Sequence, residues 1–192
     1  MRIGWFACCT DDGDGSKVWN CLIGGSTVSE NAPTLHMLCG KIGSGKSTLA
    51  AQLAEADNAV IITEDTWLYA LFDDQLKSLP DYVRCTGKLR NAMAPHIATL
   101  LGSGVSVVLD FAANTAKQRA WLQTLLTETG AAHQLHVLDV PDAICLERLH
   151  ARNASGTHPF DVSDEQFHQF SQHFAPPTEA EGFNVVVHRV EA

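Results

Sequence analysis

Eight consecutive residues, Gly40-Lys41-Ile42-Gly43-Ser44-Gly45-Lys46-Ser47, constrain this chain more than any other feature. They fit the pattern G-x-x-x-x-G-K-S/T in full, follow the apolar run Leu35 to Cys39, and open a helical stretch from Lys46 to Glu55. Strand, glycine-rich turn and helix in that order make a phosphate-binding loop. The glycines let successive backbone N–H groups converge on phosphate oxygens, and the helix N-terminus adds a positive dipole. In such a loop Lys46 reaches the β and γ phosphates and Ser47 offers its hydroxyl to magnesium, with Thr48 beside it. ATP and Mg2+ are the cofactors to expect.

From Thr34 onward, short β-rich runs alternate with longer helical stretches, the pattern of an α/β domain built on a parallel sheet. Strands are expected at Leu35–Cys39, Ala59–Thr63, Val105–Asp110, Gln134–Asp139 and Asn184–His188, each apolar on both faces as a covered parallel sheet requires. Helices are expected at Lys46–Glu55, Thr66–Phe72, Asp81–Leu101, Ala116–Thr129, Ala143–Asn153 and Asp164–Phe174. The last has a strong start signal, a capping box of Ser163 with Gln166 and a staple of Val162 with Phe167. Residues 1–33 read as an N-terminal extension, loosely ordered or weakly packed, because Asp11–Ser16 and Gly24–Ser26 are turn punctuation with little periodic apolar pattern between them. Residues 34–192 then form one domain.

The 192 residues are 45% hydrophobic and 18% charged, which suits one globular domain and excludes disorder and coiled coil. With 13 basic against 22 acidic residues the net charge is −9, a field that repels a nucleic acid backbone and favours a small or neutral acceptor. No run approaches the roughly 20 apolar residues of a membrane helix, and the first ten residues do not form a secretion signal, so a soluble cytoplasmic protein is expected. The six cysteines form neither zinc knuckles nor a disulfide framework, and reduced, structural thiols are the reading.

Ligands of such sheets gather at the C-terminal ends of the strands, where several polar residues stand. Asp65 follows the second strand and suits a general base toward an acceptor hydroxyl or a helix N-cap, with Glu64 as the fallback base. Asp110 closes Val107-Val108-Leu109-Asp110, the place of a magnesium-side carboxylate. Asn114 and Arg119, just beyond, either face the acceptor or cap and decorate a helix. Arg148 and Arg152 lie four apart, on one helix face, where paired guanidiniums suit a transferring phosphoryl group or a solvated surface. His168 and His173 are five apart, a spacing that splits them across helix faces, and with His158 they do not make a metal site.

The order Leu38–Thr48, Thr63-Glu64-Asp65, Ser106–Asp110, Arg119, Leu138–Pro141 and Arg148 with Arg152 resembles the polynucleotide-kinase-like branch of phosphate-loop kinases, which includes zeta-toxin-type and chloramphenicol-phosphotransferase-like enzymes. The resemblance covers about Thr34 to Asn153. It implies a nucleoside-kinase-like, three-layer core with five parallel strands in the order 2-3-1-4-5, Asp65 as base, Lys46 on the phosphates, and Arg148 and Arg152 as lid arginines. It also implies that acceptor specificity resides between the second and third strands, over Leu71–Leu101, where Arg90 stands out beside apolar Leu89 and Met93. One departure matters. Polynucleotide kinases place an arginine shortly after the base, where this chain has Trp67-Leu68-Tyr69, which argues against a nucleic acid acceptor.

The expectation is an ATP- and magnesium-dependent kinase acting on a hydroxyl of a small molecule such as a nucleoside, sugar nucleotide or antibiotic-like compound. A 5′-hydroxyl nucleic acid kinase is the alternative within the class. An ATP-binding switch or slow ATPase without acceptor chemistry is the alternative outside it, and it has no need of Asp65.

Overall fold

The computed structural model describes residues 32–156 and 161–190. Apart from residues 32 and 33, the expected N-terminal extension lies outside the described residues, as do Cys8, Cys9, Cys21 and His158. The strands are β1 (Thr34–Cys39), β2 (Val60–Thr63), β3 (Val107–Ala112), β4 (Ala132–Asp139) and β5 (Val185–Arg189). The helices are α1 (Lys46–Ala56), α2 (Glu64–Phe72), α3 (Leu79–Gly102), α4 (Ala116–Thr129), α5 (Asp142–Ser155) and α6 (Asp164–Ser171), with short 3-10 turns at Asp73–Gln75 and Glu179–Glu181. All pairings are parallel and the sheet order is β2-β3-β1-β4-β5.

Alternation along the strands sends side chains to two cores. One face gathers Leu35, Met37 and Leu109 with Ile97 and Leu101 of α3 and Leu122 and Leu125 of α4. The other gathers Leu38, Val108 and Leu138 with Ala50 of α1, Leu149 of α5 and Phe167 of α6. A smaller cluster of Leu68, Cys85 and Leu89 joins α2 to α3. The expectation of strands covered on both faces holds for β1 and β3 and for the centre of β4. It fails for the edge strands, where Val60, Ile61, Val185 and Val187 are 39–50% exposed. Among the described residues each edge strand has a neighbour on one side only, and helices cover it incompletely.

Several helix boundaries move by one to three residues, and two of the differences bear on the site. The helix expected from Thr66 starts at Glu64, with Thr63 at its N-cap, so Asp65 sits inside the first turn and does not cap it. The helix expected to reach Phe174 stops at Ser171, because the chain tightens into i→i+3 bonds, His173 N–H to Phe170 and Phe174 N–H to Ser171, ahead of Pro176-Pro177. The capping box of Ser163 with Gln166 is present, and Val162 packs on the cluster that holds Phe167.

The sheet carries two irregularities. The β1–β3 register shifts between Met37 opposite Leu109 and Leu38 opposite Ala112, while β2 still pairs Thr63 with Asp110. Asp110 therefore sits at the irregularity between β1 and β3, where β1 nears the phosphate loop. The second is a row of imidazoles across β1, β4 and β5. His36 Nε2 is 2.7 Å from Asp57 Oδ2, His36 Nδ1 is 3.1 Å from His136 Nε2, and His136 Nδ1 is 2.9 Å from His188 Nε2. One set of tautomers, each ring donating through Nε2–H, satisfies every link from His188 to the Asp57 carboxylate.

Candidate active site

The loop that leaves β1 turns through Gly43 at φ +75° and Gly45 at φ +100°, left-handed conformations that favour glycine. Gly43 has a second constraint, since a Cβ there would collide with the carbonyl oxygen of Cys145 on α5. Lys46, the first residue of α1, folds back and donates to the carbonyls of Gly40 at 2.8 Å and Lys41 at 2.9 Å. Burial pushes its pKa down, and Asp110 is the first group to oppose that, followed by Cys39 and Asp65. Ser47 and Thr48 are exposed on the first turn of α1, and Ile42 packs on the core beneath. The hydroxyl of Ser44 is buried and has no hydrogen-bond partner among the described residues.

Helix α5 approaches the loop from the other side. Lys41 pairs with Asp142 in its first turn, and Arg148 Nη1 donates to the Ser44 carbonyl at 3.3 Å. Arg152, one turn on, is half-buried, and its Nε and Nη2 have no hydrogen-bond partner among the described residues. Burial lowers its pKa, and the charges of Asp65 and Asp161 oppose the shift. Asp65 thus acts electrostatically on both Lys46 and Arg152, while Asp110 acts on Lys46. Lysine, two carboxylates and an arginine from α1, α2, β3 and α5 converge at the C-terminal edge of the sheet.

Other expected site residues go elsewhere. Glu64 is buried and bound to Arg90, whose Nε donates to Oε1 at 2.9 Å. Burial pushes the Glu64 pKa up while Arg90 opposes it. The Arg90 guanidinium also lies over the rings of Trp121 at 5.3 Å and Phe111 at 5.8 Å. Fallback base and expected acceptor contact thus form one buried ion pair beneath Asp65. Tyr82, half-buried beside α2, has its pKa raised by desolvation, with Glu64 and Asp65 adding to the shift. Asn114 Oδ1 accepts the Gly40 N–H at 2.8 Å. Arg119 is 1% exposed and forks onto Glu181, with Nε to Oε2 at 2.6 Å and Nη2 to Oε1 at 2.9 Å. Burial pushes the Cys39 thiol beside it up to about 11, as a structural cysteine requires. Nothing in the local sequence marks Glu181 except the T-x-x-E spacing from Thr178, which does form a capping box.

Beyond Lys41 a cleft of about 360 Å³ opens between the ends of β4 and β5 and the segment after α6, lined by Lys41, Val140, Phe174, Pro176, Pro177 and Arg189.

A family model described as an AAA domain matches residues 35–177. The chain belongs to this family. The match spans the phosphate loop, the converging charges and the segment up to Pro177. No curated protein sequence matches the chain. Among solved structures it is similar to a proposed kinase from Chloroflexus aurantiacus, with 21% identity, a TM-score of 0.66, and coverage of 83% of this chain and 86% of that one. It is also similar to a sugar kinase from Janibacter, with 15% identity, a TM-score of 0.57 and coverage of 83% and 86%. A chain of the Pnkp1/Rnl/Hen1 RNA repair complex shares 23% identity at a TM-score of 0.56, over 78% of this chain and 46% of that one. At these identities the likeness establishes the fold, that of the phosphate-loop kinases with the strand order 2-3-1-4-5. Among the described residues no helix is long and apolar enough to cross a membrane.

Proposed function

We propose that this member of the family is a phosphotransferase that moves the γ-phosphoryl group of ATP to a hydroxyl of a small molecule with the help of magnesium. The observation that carries the reading is the convergence of Asp65 and Asp110 on Lys46, with Arg152 in the same field as Asp65. Buried polar atoms without partners among the described residues, the Ser44 hydroxyl in the loop and Nε and Nη2 of Arg152 on α5, fit an anionic ligand. For magnesium, the Ser47 hydroxyl and the Asp110 carboxylate supply the hard oxygen donors that the ion prefers. When bound, the ion neutralises charge on the β and γ phosphates.

The chain's own residues then divide the work. Lys46 turns its amino group from the Gly40 and Lys41 carbonyls to phosphate oxygens. Asp65 accepts the proton of the acceptor hydroxyl as that oxygen bonds to phosphorus and the bond to the leaving oxygen of ADP breaks. Arg152 and Arg148 hold the charge spread over the transferring group. The cleft beyond Lys41 takes the nucleoside end, with Phe174 and the two prolines as its wall. Glu64 is unavailable as an alternative base because Arg90 holds its carboxylate. The net charge of −9 and the Trp67-Leu68-Tyr69 run after Asp65 favour a small acceptor over a nucleic acid.

The test is ATP turnover with magnesium against a panel of nucleosides, sugar nucleotides, antibiotic-like alcohols and 5′-hydroxyl oligonucleotides, with product read by mass. Asp65→Asn should cut transfer by about 10²–10⁴-fold while ATP affinity holds, and Lys46→Ala should weaken both. Unchanged transfer by D65N would remove Asp65 as the base. ATP binding with no phosphorylated product from any acceptor would move the reading to a nucleotide-controlled switch.

A further inference from the structure

Asn114 and Arg119 stand apart from the converging charges and meet around the segment Phe174–Glu181. Asn114 accepts the N–H of Gly40, the first glycine of the phosphate loop, through Oδ1, and its carbonyl accepts the N–H of Ala175 at 2.9 Å. Its neighbour Ala113 donates N–H to the Leu38 carbonyl at 2.9 Å, where β1 runs into the loop. Arg119 adds a second tie between the same parts. Nη1 donates to the carbonyls of Ala113 at 3.0 Å and Ala175 at 2.7 Å, Nη2 reaches the Pro176 carbonyl at 3.4 Å, and the fork on Glu181 closes the set. These five contacts match the five N–H groups of a guanidinium, so no donor is left for a ligand, and the buried plane acts as a fixed strut.

The consequence falls on the nucleotide side. The Phe174 ring stands 5.8 Å from Lys41 Nζ, and Pro176 and Pro177 line the cleft beyond it. Gly40, the first residue of the loop, is held at its N–H by Asn114 and at its carbonyl by Lys46. Once Lys46 turns to phosphate oxygens, the Asn114 bond is what continues to fix that residue.

We propose that Asn114 and Arg119 are positioning residues for the nucleotide, not contacts for the acceptor. Asn114 sets the first peptide of the phosphate loop, and Arg119 sets the wall carried by Phe174–Glu181 against which the nucleoside end lies. This rests on the reading of the loop as an ATP site.

Calorimetric binding of ATP and of inorganic triphosphate to the full chain separates the two roles, because triphosphate occupies the loop without touching the wall. Asn114→Ala should weaken both ligands by about five- to tenfold, the worth of one hydrogen bond in a dry loop. Glu181→Gln, which breaks the fork on Arg119, should weaken ATP by about tenfold and leave triphosphate within about twofold. Phe174→Ala alters the wall without disturbing a buried charge and should show the same ATP-specific loss even where E181Q does not fold. A general loss of stability would lower both affinities together and would not change their ratio. An unchanged ratio in both E181Q and F174A overturns the role of the wall, and wild-type affinities in N114A overturn that of Asn114. If the unmutated chain binds neither ligand, the ATP-site reading fails first, and the inference fails with it.

Discussion

Acidification should destabilise this fold through the imidazole row, and the size of the effect follows from His136. That ring is 3% exposed, between His36 on β1 and His188 on β5. Burial first, then the neighbouring imidazoles His36 and His188, lowers its pKa from 6.5 to about 4, while Asp57 at the end of the row pulls the other way. The sign follows from proton counting. Between pH 6.5 and 4 the unfolded chain binds a proton at this position and the folded chain does not. The stabilisation is therefore complete above pH 6.5 and is lost as pH falls towards 4. At about 1.36 kcal/mol for each pH unit crossed, the loss reaches roughly 3 kcal/mol, a large share of the 5–15 kcal/mol that holds a typical domain together. His133, also lowered by burial, adds in the same direction. Urea melts followed by far-ultraviolet circular dichroism at pH 7.5, 6.0 and 4.5 measure the slope in the wild type and in His136→Gln, which can still donate and accept but does not titrate. The wild type should lose stability more steeply than H136Q by roughly 2–3 kcal/mol over that interval. Parallel slopes in the two proteins would show that His136 does not carry the acid sensitivity of the fold.

Other perturbations act on single contacts. Arg90→Met leaves Glu64 buried without its counter-charge and should cost about 3–5 kcal/mol in a urea melt, with part of the loss recovered in the double variant with Glu64→Gln. ATP affinity should stay near the wild-type value in that double variant, since neither residue faces the phosphate loop, and a large loss there would return Arg90 to the site. Gly43→Ala combines a left-handed φ of +75° with a Cβ driven into the Cys145 carbonyl. It should cost at least ~1–2 kcal/mol for the backbone alone and shift the start of α5, and an unchanged thermal midpoint would contradict this.

What could be read from the sequence depends on the distance over which each signal acts. The phosphate loop is eight adjacent residues whose flanks already contain the strand and the helix, so its position and conformation are local properties. The places of Asp65 and Asp110 at strand ends are legible in the same way, whereas the register shift between β1 and β3 next to Asp110 is not. The two arginines expected near the acceptor show where local signals run out. Arg90 and Arg119 each sit in a helix among apolar residues, a pattern that fits a ligand contact and a buried counter-ion equally well. The deciding partners, Glu64 and Glu181, are 26 and 62 residues away in the chain. The imidazole row is harder still, because His36, His136 and His188 lie in three separate strands and become neighbours only through the order β1-β4-β5 and its register. The exposed edges belong to the same class of property, since Ile61 and Val187 are as β-branched as any central residue and differ only in lying on the outermost strands. Arg90 and Arg119 are both held by carboxylates inside the fold, whereas Lys46 and Arg152 both feel the charge of Asp65, a difference set by which helix faces meet in space and not by the residues beside each arginine.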